Sequence, residues 1–473
     1  MNKEPAQTRR QVGLWPSLLV FVFLFVSILA GTRLFGTSAH IPLVLASVAA
    51  AIVAIASGYT WKELESGMGE TIKATCIGIL IMPIIGMVVG TWMLGGIVPT
   101  MIYYGLTWLS PKIFLVATCL ICTMVSLSVG SSWTTMGTVG VALMGVGAGL
   151  NVPAGITAGA IISGAYFGDK MSPLSDCTNL TSAVVGTDLF GHIKNMLRTT
   201  TPAYCTALVL YAVLGIRVAG NSANTDTIRL YLETLAGSFN ISPVMLIPPL
   251  CVLVMVVFKV SAIPGLIGVT FLGGIFAMAF QGRSLSQVFA AAYTGVSMDT
   301  GVEAINKLVN RGGLSSMMDT VALILIALCF AGIVEKAGMI DTVVHAILAR
   351  AKGEKAVMTT AFFATLFTNF ATGVVYVAFV LPGRMFRQTF LDHNLHPKNL
   401  SLILEDVGSL VAPFCPWSTD CAFIMGALGV SLSQYAPFMF LAILNPLICM
   451  FYIWTGIGIV HITPEQKEQE IFL

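Results

Sequence analysis

The chain is short of charge. Lys, Arg, Asp and Glu make up 10% of its 473 residues, where a soluble domain carries about 25%. That scarcity excludes a separate soluble domain. The net charge of +2 and the lack of a basic stripe give no nucleic-acid face. No G-x-x-x-x-G-K-[ST] occurs, which excludes a nucleotide-driven motor within the chain. The six histidines are scattered, with no metal-ligand spacing between any two. No nucleophile–base pair stands out, so an enzyme is not expected, and neither is a cofactor. The ten cysteines lie mostly in apolar stretches, and Cys119 and Cys122 read as small core residues rather than a redox or metal pair. The first apolar run, Leu14 to Ala30, follows Arg9 and Arg10 without a convincing small-residue cleavage site, and reads as a retained span.

What fills the chain instead is hydrocarbon. Hydrophobic residues make up 56% of it, and the mean hydropathy is +0.88. Apolar runs of about 20 residues, enough to cross ~30 Å of hydrocarbon, recur along nearly its whole length. The expected class is an all-α polytopic membrane protein. Spans are expected at 13–31, 39–58, 72–95, 153–198 (broken), 200–218, 242–260, 262–282, 315–335, 397–430 (broken) and 434–460. Two further apolar stretches, 111–150 and 355–392, have polar middles at Gly130-Ser-Ser-Trp-Thr-Thr135 and Thr368-Asn-Phe-Ala-Thr-Gly373. They read as re-entrant hairpins, with two full crossings each as the alternative.

The two halves can be overlaid. Ile41-Pro42-Leu43 answers Ile263-Pro264-Gly265, Gly96-Ile97-Val98 answers Gly332-Ile333-Val334, and Pro173-Leu-Ser175 answers Pro416-Trp-Ser418. Each half then holds about five crossings, a hairpin and a broken helix. An odd number of crossings flips the second copy, so the repeats are expected to be inverted in topology. The division is a cytoplasmic N-terminus (1–12), a first repeat (13–218), a linker (219–241) with a short surface helix at Leu230–Leu235, a second repeat (242–460) and a tail (461–473). Basic residues gather on one side, including Arg9, Arg10, Lys62, Lys336, Arg350, Lys355, Arg384, Arg387 and Lys398. The positive-inside rule makes that side cytoplasmic, with both termini there. Hairpin 111–150 then enters from outside and hairpin 355–392 from inside.

Paired breaks in two such halves point to a transport site near the bilayer midplane. Acids buried in a membrane are costly and tend to be functional. Asp176 is the strongest candidate, just past Pro173 among the oxygens of Ser172, Ser175, Thr178 and Asn179. Hard cations such as Na⁺ want oxygen ligands, and Asp176 with Asn179 would supply them. A helix cap built on Ser175 or Asp176 is the other reading, and the two are compatible. Asp169 faces the cavity or forms a salt bridge, while its neighbour Lys170 ties down another helix or snorkels. Asp420 is the counterpart of Asp176, flanked by Ser418 and Thr419. Glu405 and Asp406 are adjacent, so at most one is expected to face the site. From the hairpin tips, Ser131, Ser132, Thr134 and Thr135 reach in from one side, and Thr368, Asn369 and Thr372 from the other, unless they satisfy the hairpins' own backbone. Trp133 and Trp417 are expected to be packing walls. Asp299 and Glu303, with Arg311-Gly-Gly313 after them, are expected at a surface.

Four stretches carry a resemblance: Gly130-Ser-Ser-Trp-Thr-Thr-Met-Gly-Thr138, Phe167-Gly-Asp-Lys-Met-Ser-Pro-Leu-Ser-Asp-Cys-Thr-Asn179, His192-Ile-Lys-Asn-Met-Leu-Arg-Thr-Thr-Thr-Pro202 and Arg311-Gly-Gly-Leu-Ser-Ser-Met317. With these the sequence resembles the NhaC family of bacterial Na⁺/H⁺ antiporters, over nearly its whole length. The resemblance implies an inner-membrane secondary antiporter with paired inverted repeats that exchanges Na⁺ for H⁺. It also implies Asp169, Ser175, Asp176, Thr178 and Asn179 as site residues. The family includes Na⁺- and H⁺-coupled malate/lactate exchangers, so a small carboxylate is the alternative cargo. Relatives that work as elevators are often dimers, which makes a homodimer an expectation. Two departures stand out. Cys177 replaces a common threonine, and Pro416-Trp-Ser-Thr-Asp-Cys421 replaces a run closer to Pro-Trp-Asn-Thr-Cys-Gly, adding the acid Asp420.

Overall fold

The computed structural model describes residues 11–222, 225–258, 260–348 and 351–463. Arg9, Arg10, Arg350 and most of the expected C-terminal tail lie outside the described residues. The regular elements are helices, apart from an isolated bridge between Leu395 and His461. The first half runs α1 (Leu14–Arg33), α2 (His40–Ala56), α3 (Trp61–Leu94), α4 (Ile97–Trp108), α5 (Pro111–Val129), α6 (Ser132–Thr135), α7 (Val141–Gly149), α8 (Ala154–Met171), α9 (Asp176–Val185) and α10 (Leu189–Ser222). A π-helical turn, Met136–Gly140, joins α6 to α7 without a break. Next come α11 (Thr225–Ser238), α12 (Ile247–Val257), α13 (Ala262–Gln281), α14 (Leu285–Thr294) and α15 (Glu303–Val309). The rest is α16 (Met318–Lys336), α17 (Met339–Leu348), α18 (Glu354–Thr372), α19 (Val375–Asp392), α20 (Pro397–Val411), α21 (Thr419–Leu428), α22 (Leu432–Tyr435) and α23 (Phe440–Thr455). Among the described residues, six helices are long and apolar enough to cross a membrane, or up to nine if three bent pairs each count as one span. The broken element α8–α9 is outside that count. Large apolar side chains such as Leu19, Val48, Phe271, Phe289 and Leu447 are exposed on the outside, as lipid contact requires.

Both polar-centred stretches fold as helical hairpins. α5 runs parallel to α8, with Ser126 Oγ donating to the Ala165 carbonyl at 2.6 Å. The return arm brings Gly147 back beside Phe114 and Thr157, at the level where α5 and α8 start. In the second hairpin, α18 runs parallel to α20, with Asn369 Nδ2 donating to the Gly408 carbonyl at 2.6 Å. α19 returns antiparallel, with Gly408 packed on Phe379 and Gly383 on Leu404. The hairpins open at opposite ends. The first opens where Gly215 of α10 packs on the Lys112 carbonyl. The second opens at the other end of α10, where Arg387 Nε donates to the Val185 carbonyl at 2.9 Å. Each tip is made the same way. A left-handed glycine, Gly130 or Gly373 (φ +69° in both), caps the inward helix, and its N–H closes on the fourth carbonyl back at 2.7 Å. Only glycine takes that conformation without strain.

Several boundaries differ from the sequence reading. The break at 172–175 stands, but the helix beyond it ends at Val185, with Gly186 left-handed (φ +72°). α10 therefore starts at Leu189 and runs through Pro202 for 34 residues, in place of a span ending at 198 and another beginning at 200. A proline inside a membrane helix is tolerated when neighbours re-satisfy the backbone. α3 begins at Trp61 rather than 72, started by a capping box between Thr60 and Glu63. Its first turns carry Glu63 and Glu70, which line an open vestibule. The helix expected at Leu230–Leu235 extends over α11, with Arg229, Leu230 and Glu233 exposed and Tyr231 and Leu235 buried on its inner face. The last span bends by 54° at the α22–α23 junction. Asp299 and Glu303 are exposed, the latter paired with Lys307 at 2.6 Å. Gly312 and Gly313 are not at the surface: the Gly313 N–H donates to the Gly86 carbonyl at 2.7 Å, inside the α3 contact. A Cβ at Gly86 would lie 2.4 Å from the Gly313 carbonyl oxygen, so backbone must move. Gly86→Ala is therefore expected to destabilise the protein by about 1–3 kcal/mol, read as a lower midpoint of thermal unfolding in detergent.

Candidate functional site

The two tips and the two broken helices meet around a cavity of about 580 Å³. Four carboxylates line it: Asp169, Asp176, Glu405 and Asp420. Each has a different environment, set by the local chain.

Asp169 sits in the last turn of α8. Its Oδ2 accepts from the Ser132 backbone N–H at 3.0 Å and from the Ser132 hydroxyl at 2.7 Å. Ser132 opens the return arm of the first hairpin, so the carboxylate caps a helix N-terminus from outside its own helix. Asp176 opens α9 behind the Ser175 N-cap and is exposed to the cavity. Among the described residues no hydrogen bond to its carboxylate is found. Asp420 lies in the first turn of α21 and is 5% exposed. It accepts from the Tyr166 hydroxyl, from Trp133 Nε1 at 3.2 Å and from the Thr419 hydroxyl at 3.2 Å. Glu405 is 1% exposed and accepts from the Thr181 hydroxyl at 3.3 Å.

Lys170 is the only basic residue on the cavity wall among the described residues, and it is not free. Its ammonium is paired with Asp406, both side chains being essentially buried. A lysine sealed in a membrane needs such a partner. Of the adjacent acids Glu405 and Asp406, one lines the cavity and the other holds the lysine, as neighbours pointing about 100° apart allow.

The other expected residues divide in two. Ser131, Ser132, Ser175, Asn179 and Thr419 line the cavity with the acids. Ser131 also caps α6, accepting from Thr134 N–H at 3.2 Å, and Asn179 Nδ2 donates to the Pro173 and Ser175 carbonyls at 2.9 and 2.7 Å. Thr134, Thr178, Thr368, Asn369, Thr372 and Ser418 are buried off the cavity. Thr178 donates to the Lys170 carbonyl at 3.1 Å, Thr368 to Ala364, Thr372 to Thr368, and Ser418 to Ala412. Thr178 and Ser418 thus satisfy carbonyls beside the two breaks, whereas Thr368 and Thr372 bond back onto their own helix. The second tip presents Val375 and Tyr376 to the cavity. Its Gly373 carbonyl accepts from Thr419 N–H at 3.0 Å, which pins it to the start of α21. Trp417 is a wall, donating to the Phe370 carbonyl and packing edge-on to Phe25. Trp133 is more than a wall: it stacks on Phe423 and also reaches Asp420.

Tyr166 and the Thr181–His192 contact were not anticipated. Tyr166 stands three residues before Asp169 on one helix face, a spacing that could have singled it out. Its partner Asp420 is 254 residues away, which no local pattern reveals.

The cavity joins a second one of about 890 Å³, sharing Ala74, Thr75, Tyr376 and Val380 with it. The larger space opens among Glu63, Glu70, Lys336 and Arg384, at the end where α3 begins. The carboxylates thus communicate with one end of the molecule.

Comparison with known proteins gives a consistent picture. The model of the Na⁺/H⁺ antiporter family matches residues 164–457. The chain is 38% identical over 445 residues to the Na⁺/H⁺ antiporter NhaC of Alkalihalophilus pseudofirmus, covering 94% of this chain and 96% of that one. It is 36% identical over 430 residues to NhaC of Bacillus subtilis, covering 91% and 95%. It is also 36% identical over 407 residues to the malate-2H⁺/Na⁺-lactate antiporter of Bacillus subtilis, covering 86% and 87%.

Proposed function

The chain belongs to the Na⁺/H⁺ antiporter family, and from that premise we propose that it exchanges Na⁺ for H⁺ by letting the two cations compete for the cavity carboxylates. A carboxylate that holds a proton cannot also hold Na⁺, so competition alone couples the fluxes. Asp169, Asp176 and Asp420 are the ion-binding acids, with the oxygens of Ser131, Ser132, Ser175, Asn179 and Thr419 in support. Na⁺ is cargo, and all of these are the hard oxygen donors it prefers.

One observation carries this reading over a carboxylate cargo. Half-helix N-termini are where a transporter would bind an organic anion. Here Asp169, Asp176 and Asp420 already neutralise three of them. Lys170, the lysine on the cavity wall, is occupied by Asp406. The cavity is a place for positive charge.

The identical glycine tips and the matching Pro173 and Pro416 breaks support two inverted repeats, 13–218 and 242–460. The open vestibule at one end supports alternating access, with the opposite opening made when the hairpins and broken helices move against α3 and α16. Lys336 and Arg384 line the open end. The positive-inside rule makes it cytoplasmic, in a bacterial inner membrane with both termini inside.

Purified protein in liposomes with an internal pH dye tests the reading. Na⁺ is expected to drive proton movement, whereas malate or lactate without Na⁺ is not. Proton movement that needs malate or lactate would favour the carboxylate exchanger instead. In the same assay Asp176→Asn is expected to raise the Na⁺ concentration for half-maximal rate by roughly tenfold, the weight of about 1.4 kcal/mol. An unchanged Na⁺ dependence would remove Asp176 from the site.

A further inference from the structure

The cavity is larger and more apolar than a metal cation requires. Its volume of about 580 Å³ lies in the range of about 300–1,000 Å³ typical of sites for small organic molecules. Its acids come from α8, α9, α20 and α21, whereas α3 and α19 contribute no charged side chain to its wall among the described residues. Ile77 and Ile81, about one turn apart on α3, line it together with Leu180 of α9 and Val375, Tyr376 and Val380 of α19. Ile77 is 64% exposed, and Leu180 and Tyr376 are half-buried, so part of this hydrocarbon is not covered by packing.

Na⁺ is held by oxygen ligands. Hydrocarbon beside the ion, or beside its hydration shell, contributes nothing to holding it. An apolar wall stabilises a ligand only when the ligand brings apolar surface of its own. The charges then decide the sign of that ligand. Lys170 is bound by Asp406, and no other basic side chain lines the wall among the described residues. An anion, or the carboxylate of an amino acid, finds no basic partner there. Asp176 is exposed to the cavity and accepts no hydrogen bond among the described residues. A carboxylate in that state accepts strong hydrogen bonds from an ammonium or, two at a time, from a guanidinium.

We propose that the cavity also carries a small organic cation, a protonated amine or guanidine on an alkyl chain, in place of Na⁺. Its charged head sits on the acids and its chain lies against Ile77, Ile81 and the second hairpin. The inference rests on the reading above that cations compete for these carboxylates. The way in is the vestibule, which shares Ala74, Thr75, Tyr376 and Val380 with the cavity.

The probe is n-butylguanidinium, which stays charged at neutral pH and so does not cross a bilayer as the free base. Liposomes loaded with it are expected to take up ²²Na⁺ in exchange severalfold faster than liposomes loaded with n-butylurea, a neutral analogue of the same shape. Added outside, it is expected to inhibit exchange of ²²Na⁺ for Na⁺ at equal pH, at a concentration roughly tenfold lower than guanidinium, which lacks the chain. Ile77→Asn is expected to weaken that inhibition about fivefold and to leave the Na⁺ dependence of proton movement unchanged. Equal uptake from the two loads overturns the proposal, even where butylguanidinium inhibits, because a bound cation that does not move is not cargo. Equal inhibition by guanidinium and butylguanidinium, or of wild type and Ile77→Asn, takes the apolar wall out of the site and overturns it as well. Na⁺-driven proton movement, recorded with a pH dye in the same preparation, tells the two readings apart. If it is present while butylguanidinium has no effect, only the organic cargo is lost. If it is absent, the Na⁺/H⁺ reading falls and this proposal falls with it.

Discussion

Asp169→Asn is expected to reduce Na⁺-driven proton flux by about 100-fold or more while leaving the protein folded. Asparagine has the same shape and can still accept one bond from Ser132, which holds Asp169 through both its N–H and its hydroxyl. It carries no charge for Na⁺ and no carboxyl proton to exchange. The exchange of ²²Na⁺ for Na⁺ across liposomes at equal pH should fall with it, because the acid itself is missing. Size-exclusion behaviour and the unfolding midpoint in detergent serve as the control for folding. Wild-type exchange in this variant would take Asp169 out of the mechanism and leave its contact with Ser132 as a hairpin clasp.

Lys170→Met is expected to have the largest effect on stability. It leaves the Asp406 carboxylate, which has no solvent exposure, without its counter-charge. Removing one partner of a buried ion pair costs about 3–5 kcal/mol, whereas replacing both with apolar residues of similar volume is often neutral. Lys170→Met with Asp406→Leu should therefore recover most of the loss, and a double-mutant cycle on thermal unfolding in detergent measures the difference. The double variant should also keep Na⁺-driven proton flux, since the pair ties α8 to α20 rather than binding cargo. A folded double variant with no flux would show instead that Lys170 or Asp406 takes part in transport. A single variant as stable as wild type would mean that Asp406 is already neutral in the native protein.

Much of this architecture was legible because membranes leave few options for an irregular backbone. A proline beside hydroxyls and an acid, inside an apolar run, marks a helix break, and both such runs break as expected, at 172–175 and 415–418. The hairpin tips were legible for the same reason, though displaced. The second polar middle, Thr368 to Gly373, lies mostly in the helix before the turn, which is Gly373-Val374. Hydroxyls that looked aimed at a ligand are bonded to carbonyls of their own helix. A polar residue at a break serves two readings, and composition does not choose between them.

By itself the sequence determined the class, the two breaks, the two hairpins and the acids that had to be accounted for. These follow from local rules: the length of apolar runs, the missing N–H of proline, the left-handed glycine and the cost of charge in hydrocarbon. Only the tertiary structure decided which acid meets which partner. Trp133 and Tyr166 reach Asp420, Lys170 chooses Asp406 over Asp169 beside it, and His192 closes a string between α9 and α20. Those pairings join helices far apart in the chain. Their choice depends on side-chain direction at a packed interface, and periodicity within one helix carries no information about what stands opposite it.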